Sequence, residues 1–299
     1  MSASTYASDA ETQRSSRRFT ILSPNRGKRA TEIFLFLFLA LCIPVQAVVS
    51  GHLSYAHSND LLLNTEGFAM GIIAWAGATF LRAAEDRGKP FYQVYGFKFG
   101  GFLFVWAFIG GYLGTNPWYT VLHGHFAFNT AFNPNNVPLF MLPMTIAVFG
   151  GYATFLGAIF RITWWGYERV RIPLVPDFVI KFLLFLPIAA IMPVLETMAS
   201  TGKTYCFDDN AGEWGLNVFV YGAWHFAALP FYTSFDEKPG ESQPWLSFVI
   251  KGFAVVGILL LLNQLFTDFA APHFTTVHPN AVGINDWSVN NCLGLKPTK

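Results

Sequence analysis

The sequence predicts an all-α, polytopic membrane protein, a bundle of about seven transmembrane helices with a cytoplasmic N-terminus. Three observations carry this. Of the 299 residues, 53% are hydrophobic and only 12% charged, where soluble domains average about 25% charged. The apolar residues are gathered into long runs, and about 20 residues at about 1.5 Å each cross a ~30 Å hydrocarbon core. Finally, Lys and Arg alternate between the segments that connect those runs.

Residues 1–31 are rich in Ser, Thr and Arg and read as a disordered cytoplasmic tail. Residues 32–299 read as one transmembrane helical domain. The first apolar run begins too late for a cleavable signal. The expected spans are 33–49, 67–81, 95–114, 137–160, 178–198, 216–235 and 246–266, the second being the shortest. Their Gly and Pro content is high, which helices in lipid tolerate because neighbours satisfy the freed backbone groups.

Arg14, Arg17, Arg18, Arg26, Lys28 and Arg29 precede the first span, and Arg82, Arg87 and Lys89 follow the second. Arg161, Arg169 and Arg171 follow the fourth, and Lys238 the sixth. Segments 50–66 and 115–136 contain no Lys or Arg, and 199–215 only Lys203. Under the positive-inside rule the N-terminus is cytoplasmic and the C-terminus is not. Six spans would break this alternation.

Several function classes fall away. A net charge of +1 offers nothing to nucleic acid. The metal spacings CxxC and HExxH and the nucleotide motifs GxxxxGK[ST] and GxGxxG are absent. No cofactor is expected. Cys42, Cys206 and Cys292 form no framework, with Cys42 inside a span and a Cys206–Cys292 bridge the one available pairing.

The stretch 178–198 contains Pro187 and Pro193 and, one turn from its end, the carboxylate Glu196. An ionisable group in or near a bilayer is a functional-site candidate; the ordinary alternative is a headgroup-level carboxylate. The same topology puts His52, His57, His123, His125, His273 and His278 in non-cytoplasmic segments, with Asp268 just past the last span. His225 lies inside the sixth span beside Tyr221 and Trp224. A histidine in lipid needs a partner or a cavity, and helix packing is its ordinary role. The connection 115–136 is aromatic, with Trp118 and Tyr119, and is expected to lie in the interface or fold back as a lid. Its His123 and His125 share a face only on a strand. Asn135-Asn136-Val137-Pro138 reads as the turn that opens the fourth span. Asp236 and Glu237 close the sixth span, pairing with Lys238 or with basic residues of neighbouring loops.

The ordered set of short motifs from about residue 32 to 292 resembles the cycloeucalenol cycloisomerase family, integral membrane enzymes of sterol synthesis. Asp86-Arg87 followed by Tyr95 and Lys98, Asn135-Asn136-Val137-Pro138, Leu195-Glu196-Thr197, Pro230 through Asp236-Glu237, and Asn291-Cys292-Leu293 carry the likeness. The chain departs from the family's pattern at Leu139, Ile146 and near Asn116, where family members carry histidines. The resemblance implies opening of the 9β,19-cyclopropane ring of a sterol to a Δ8 product, without a redox cofactor. Such a reaction needs a proton donor, tolerance of a tertiary cation and a base. Glu196 is the expected acid, and Asp268 or His225 the relay or base. Trp118, Tyr119, His123, His125, Asn136, Tyr221 and Trp224 are the expected sterol-binding residues; aromatic faces stabilise a cation by roughly 0.5–2 kcal/mol each. A membrane sterol substrate and bilayer lipids are the expected partners. The expected membrane is the endoplasmic reticulum for a eukaryotic source and the inner membrane for a bacterial one. Two rivals stay open: a non-catalytic sterol- or lipid-binding or transport protein, and a sterol double-bond isomerase.

Overall fold

The computed structural model describes residues 20–53, 60–122, 124–126, 130–170, 175–200, 205–207 and 212–270, with the side chains of His52, His125, Asn136 and Cys206 outside the description. His57, His123, His273, His278 and Cys292 lie outside the described residues.

Among the described residues seven long helices dominate: α1 (Arg26–Leu53), α2 (Asp60–Phe80), α3 (Tyr95–Gly114), α4 (Met141–Val170), α5 (Asp177–Ser200), α6 (Gly212–Ser234) and α7 (Trp245–Leu265). Five of them, α2, α3, α4, α5 and α7, hold an apolar stretch long and charge-poor enough to cross a membrane. The other two, α1 and α6, run 28 and 23 residues. The chain is thus a helical membrane protein.

Each apolar run became a helix, with limits moved by local chemistry. α2 begins at Asp60, seven residues before the expected start, because polar residues supply its first turn. Asp60 accepts from the Ala131 backbone N–H at 2.9 Å, and its carbonyl accepts from Asn64 at 2.8 Å. α4 starts at Met141 rather than at 137. Asn135 adopts a left-handed φ of 53°, and the turn closes through Met141 N–H to the Pro138 carbonyl at 3.0 Å. At its other end α4 runs on to Val170.

Contacts between helix ends show that successive helices run in alternating directions. Lys28 of α1 meets the end of α6, Lys98 of α3 meets Asp236, and Lys181 of α5 lies over Trp164 late in α4. These mark a charged end. At the opposite end Thr197 of α5 meets Asn217 of α6, and Asn263 of α7 meets Gly114 of α3. Glycines let α2 lie close to its neighbours: Gly67 and Gly71 face the α4 backbone at Phe140 and Pro143, and Gly96 of α3 faces the Ala78 carbonyl. Small residues at such contacts are how helices approach closely in lipid.

The core is aromatic. Phe235 stacks on Phe248 at 4.0 Å, Phe102 meets Phe235 edge-on at 4.9 Å, and Trp106, Phe99 and Tyr232 are fully enclosed among them. Large apolar side chains such as Ile72, Phe182, Leu183, Phe253 and Leu261 point outward, as an acyl-chain environment allows. Among the described residues the strands are one antiparallel pair of three residues each, β1 (Gly124–Phe126) and β2 (Tyr205–Phe207), with His125 opposite Cys206. They tie the α3–α4 connection, expected to lie in the interface or fold back, to the α5–α6 connection.

Candidate functional site

Glu196, itself half-buried, is the centre of a cluster built by three helices. Tyr152 of α4 and Tyr221 of α6 both donate their phenol hydrogens to the same carboxyl oxygen, Oε2, at 2.8 and 2.6 Å. No donor reaches Oε1 among the described residues. The convergence follows from helical spacing. Tyr221 and His225 are four residues apart on one face of α6, and α5 packs along that helix. His225 is 1% exposed, and neither ring nitrogen has a hydrogen-bond partner among the described residues. Its ring sits 5.3 Å from Tyr221, 5.8 Å from Tyr152, 5.2 Å from Phe149 and 5.9 Å from Trp106. Trp106 belongs to a π-helical turn in α3, Phe104–Ile109, a widening often found at functional sites. Trp224, buried, packs edge-on against Phe149.

A second chain of bonds braces the carboxyl from one turn away. Asn217 gives its amide hydrogen to Thr197 Oγ1 at 2.8 Å and accepts from Trp118 Nε1 at 3.1 Å. Trp118 then stacks on Phe126 of β1 at 4.8 Å and meets Tyr205 of β2 edge-on at 5.6 Å. The two connections therefore close over the Glu196 end of the bundle. Tyr119, 1% exposed, packs beneath Trp118.

Of the residues singled out from sequence, Glu196, His225, Tyr221 and Trp224 are brought together, and Trp118 and Tyr119 lie in the adjoining cap. Asp268 is not part of the cluster. It is exposed and accepts two bonds from Gln264, at 2.9 and 2.8 Å, as part of the π-turn that ends α7. His123 and the side chains of His125 and Asn136 fall outside the description. Tyr152 and Asn217 were not singled out. Asn217 carried a readable signal, since Asn217, Tyr221 and His225 form a polar stripe at helical spacing.

The arrangement suits proton transfer. One carboxyl oxygen is held by two neutral donors while the other meets no donor among the described residues, so a proton can leave from Oε1 and the resulting charge is met on Oε2. Hydrogen bonds to a charged oxygen are about twice as strong as neutral ones. Among the described residues no group of three or more His, Cys, Asp or Glu side chains is placed to hold a metal.

A second cluster occupies the charged end. Lys28, fully buried, donates to the Tyr232 and Phe235 carbonyls at 2.7 and 2.9 Å and to Glu237 Oε2 at 2.6 Å. Arg161 bridges Glu237 at 2.6 Å and Glu32 at 2.7 Å, and the Tyr232 hydroxyl donates to Glu32 at 2.7 Å. Lys98 holds Asp236, which has a φ of 40°, at 2.5 Å. The Asp236–Glu237 pair therefore takes its partners from α1, α3 and α4 rather than from Lys238. Burial pulls the Lys28 ammonium below its ordinary value against the attraction of Glu237 and Glu32. Burial alone would raise Glu237, but Lys28 and Arg161 outweigh it and hold that carboxyl below its ordinary value. The partners differ because Lys28 is fully enclosed while Glu237 stays 27% exposed.

With this geometry in place, comparison with curated proteins finds a distant similarity. The cycloeucalenol cycloisomerase of Arabidopsis thaliana is 20% identical over 256 residues, covering 84% of this chain and 89% of that one. No family model matches the chain, and no solved structure matches it.

Proposed function

We propose that this protein is a sterol isomerase that opens the 9β,19-cyclopropane ring of a cycloeucalenol-like sterol to a Δ8 sterol. The observation that carries the reading is the paired phenol contact on Oε2 of a carboxyl in an apolar helix, leaving Oε1 to deliver a proton. The similarity to the Arabidopsis enzyme, over most of both chains, supports the same reaction class.

In this reading Glu196 protonates the cyclopropyl carbon C19 from Oε1. The C9–C19 bond breaks, C19 becomes a methyl group and positive charge falls on C9. Tyr152 and Tyr221 hold the carboxylate formed at Glu196. This answers a conflict in the chemistry, because an apolar pocket keeps a carboxyl protonated yet weakens it as a donor, whereas two phenols favour its charged product. His225, both of whose nitrogens lack a partner among the described residues, takes the proton from C8 as the C8–C9 double bond forms. The imidazolium gives its proton up to solvent and Glu196 is reprotonated from solvent between turnovers, so the cycle consumes none. Faces of Trp106, Phe149 and Trp224 offset the cation. Asp268 has no role here.

The test is incubation of membranes containing the protein with cycloeucalenol in deuterated buffer. The product is expected to be the Δ8 sterol with one solvent deuterium on the C19 methyl. Deuterium at another carbon would replace ring opening by a double-bond shift. Binding without turnover would leave the non-catalytic reading.

A further inference from the structure

Along α6, on the side adjoining the face that bears Tyr221 and His225, a cavity of about 550 Å³ lies between α5 and α7. Its α6 floor includes Val218, Gly222 and Phe226, its α5 wall Ala189 and Ala190, and its α7 wall Asn263. No charged residue contributes to it. The volume falls within the range of about 300–1,000 Å³ usual for small-molecule sites.

Two oxygens make this more than an apolar furrow. Asn263, 4% exposed, spends an amide hydrogen on the Gly114 carbonyl at 3.0 Å. No donor reaches its side-chain oxygen among the described residues. Pro193 has no N–H to offer the Ala189 carbonyl four residues earlier, and that carbonyl faces Gly222 across the α5–α6 seam. Both groups are acceptors in an otherwise apolar lining, so the matching ligand is a large apolar body with one hydroxyl donor. An acyl chain has no donor, and an ionic headgroup would find no counter-charge. Ala189 also shares a stripe of α5 with Glu196, seven residues on.

We infer that this groove binds the body of a monohydroxy sterol drawn from the bilayer, its hydroxyl donating to Asn263 or to the Ala189 carbonyl. The inference rests on the sterol reading above but not on the isomerase reaction.

The experiment uses the full-length protein in lipid nanodiscs with a diazirine sterol that keeps its 3-hydroxyl. Photolabelling is expected in peptides covering 186–190, 218–226 and 262–266, competed by cycloeucalenol. The 3-O-methyl ether of the probe should label at least tenfold less, having lost its donor. Ala190→Phe and Ala223→Phe fill the groove from two walls and should each reduce labelling tenfold. Because the map is made on the unaltered protein, it stands even where a filled variant folds poorly. Labelling elsewhere only, equal labelling by the ether, or competition by phospholipid overturns the inference. Turnover measured in parallel separates the two claims. Groove labelling without turnover leaves the groove and removes the reaction; turnover with no groove labelling does the reverse.

Discussion

Tyr221 and Glu196 meet across the α5–α6 seam, with the phenol hydroxyl donating to Oε2 at 2.6 Å. Tyr152 reaches that same oxygen from α4 at 2.8 Å. Three helices therefore converge on one oxygen, while its twin meets no donor among the described residues.

Glu196→Gln keeps volume and an amide oxygen able to accept from both phenols but supplies no carboxylic proton. The variant is expected to insert, to keep its melting temperature within a few degrees and to bind sterol. Turnover should fall by about 10²–10⁴-fold, the usual weight of general acid catalysis. A folded variant with near-normal turnover would take the donor role away from Glu196.

Tyr221→Phe and Tyr152→Phe each remove one of the two phenols without altering ring packing on His225. Each should cost about 10²-fold in turnover, as loss of one donor to a developing oxyanion does. Sterol affinity should hold. The double variant should fall short of the summed effect, because both donors serve one oxygen. Simple additivity, with stability lost and turnover per folded molecule unchanged, would make the phenols structural.

The helices were legible because apolar runs of membrane-crossing length admit no other satisfied backbone. Their limits were not, since α2 is extended by polar contacts of Asp60 with Ala131 and Asn64 and α4 is delayed by the left-handed Asn135. Glu196 stood out as a lone charge in an apolar run, and His225 as a lone imidazole. Tyr152 did not, because a tyrosine in a span is ordinary until the carboxyl it meets, 44 residues away, is placed opposite it. The charged end was hidden for the same reason. Lys28 and Glu237 are 209 residues apart, and each alone reads as an interfacial charge.

If α1 and α6 cross along with the five apolar helices, the alternation puts the two termini on opposite sides of the membrane. With Lys and Arg gathered at the Lys28 end, the N-terminus should be cytoplasmic. Tags at residues 1 and 299 should show opposite accessibility in sealed vesicles. Equal accessibility would mean that one of the seven, most simply α1 or α6, does not cross.

Lys28→Met tests the charged end. The ammonium caps the carbonyls of Tyr232 and Phe235, which close α6, as cations do at helix C-termini. It also neutralises Glu237. Removing one member of a buried ion pair costs about 3–5 kcal/mol, so the melting temperature should drop by several degrees even though methionine fills the volume. The pH dependence gives a sharper sign. Glu237 is held below its ordinary value by Lys28 and Arg161, against burial. Its contribution to stability is therefore present above the unfolded value of about 4.3 and lost as pH falls through the lower folded value. Lys28→Met leaves Arg161 as the main attraction and should shrink this acid-side loss, flattening melting temperature against pH below about 4.5. Glu237→Gln should flatten it further. A Lys28→Met protein as stable as the parent, with an unchanged acid limb, would mean that the pair does not hold α1 to the end of α6.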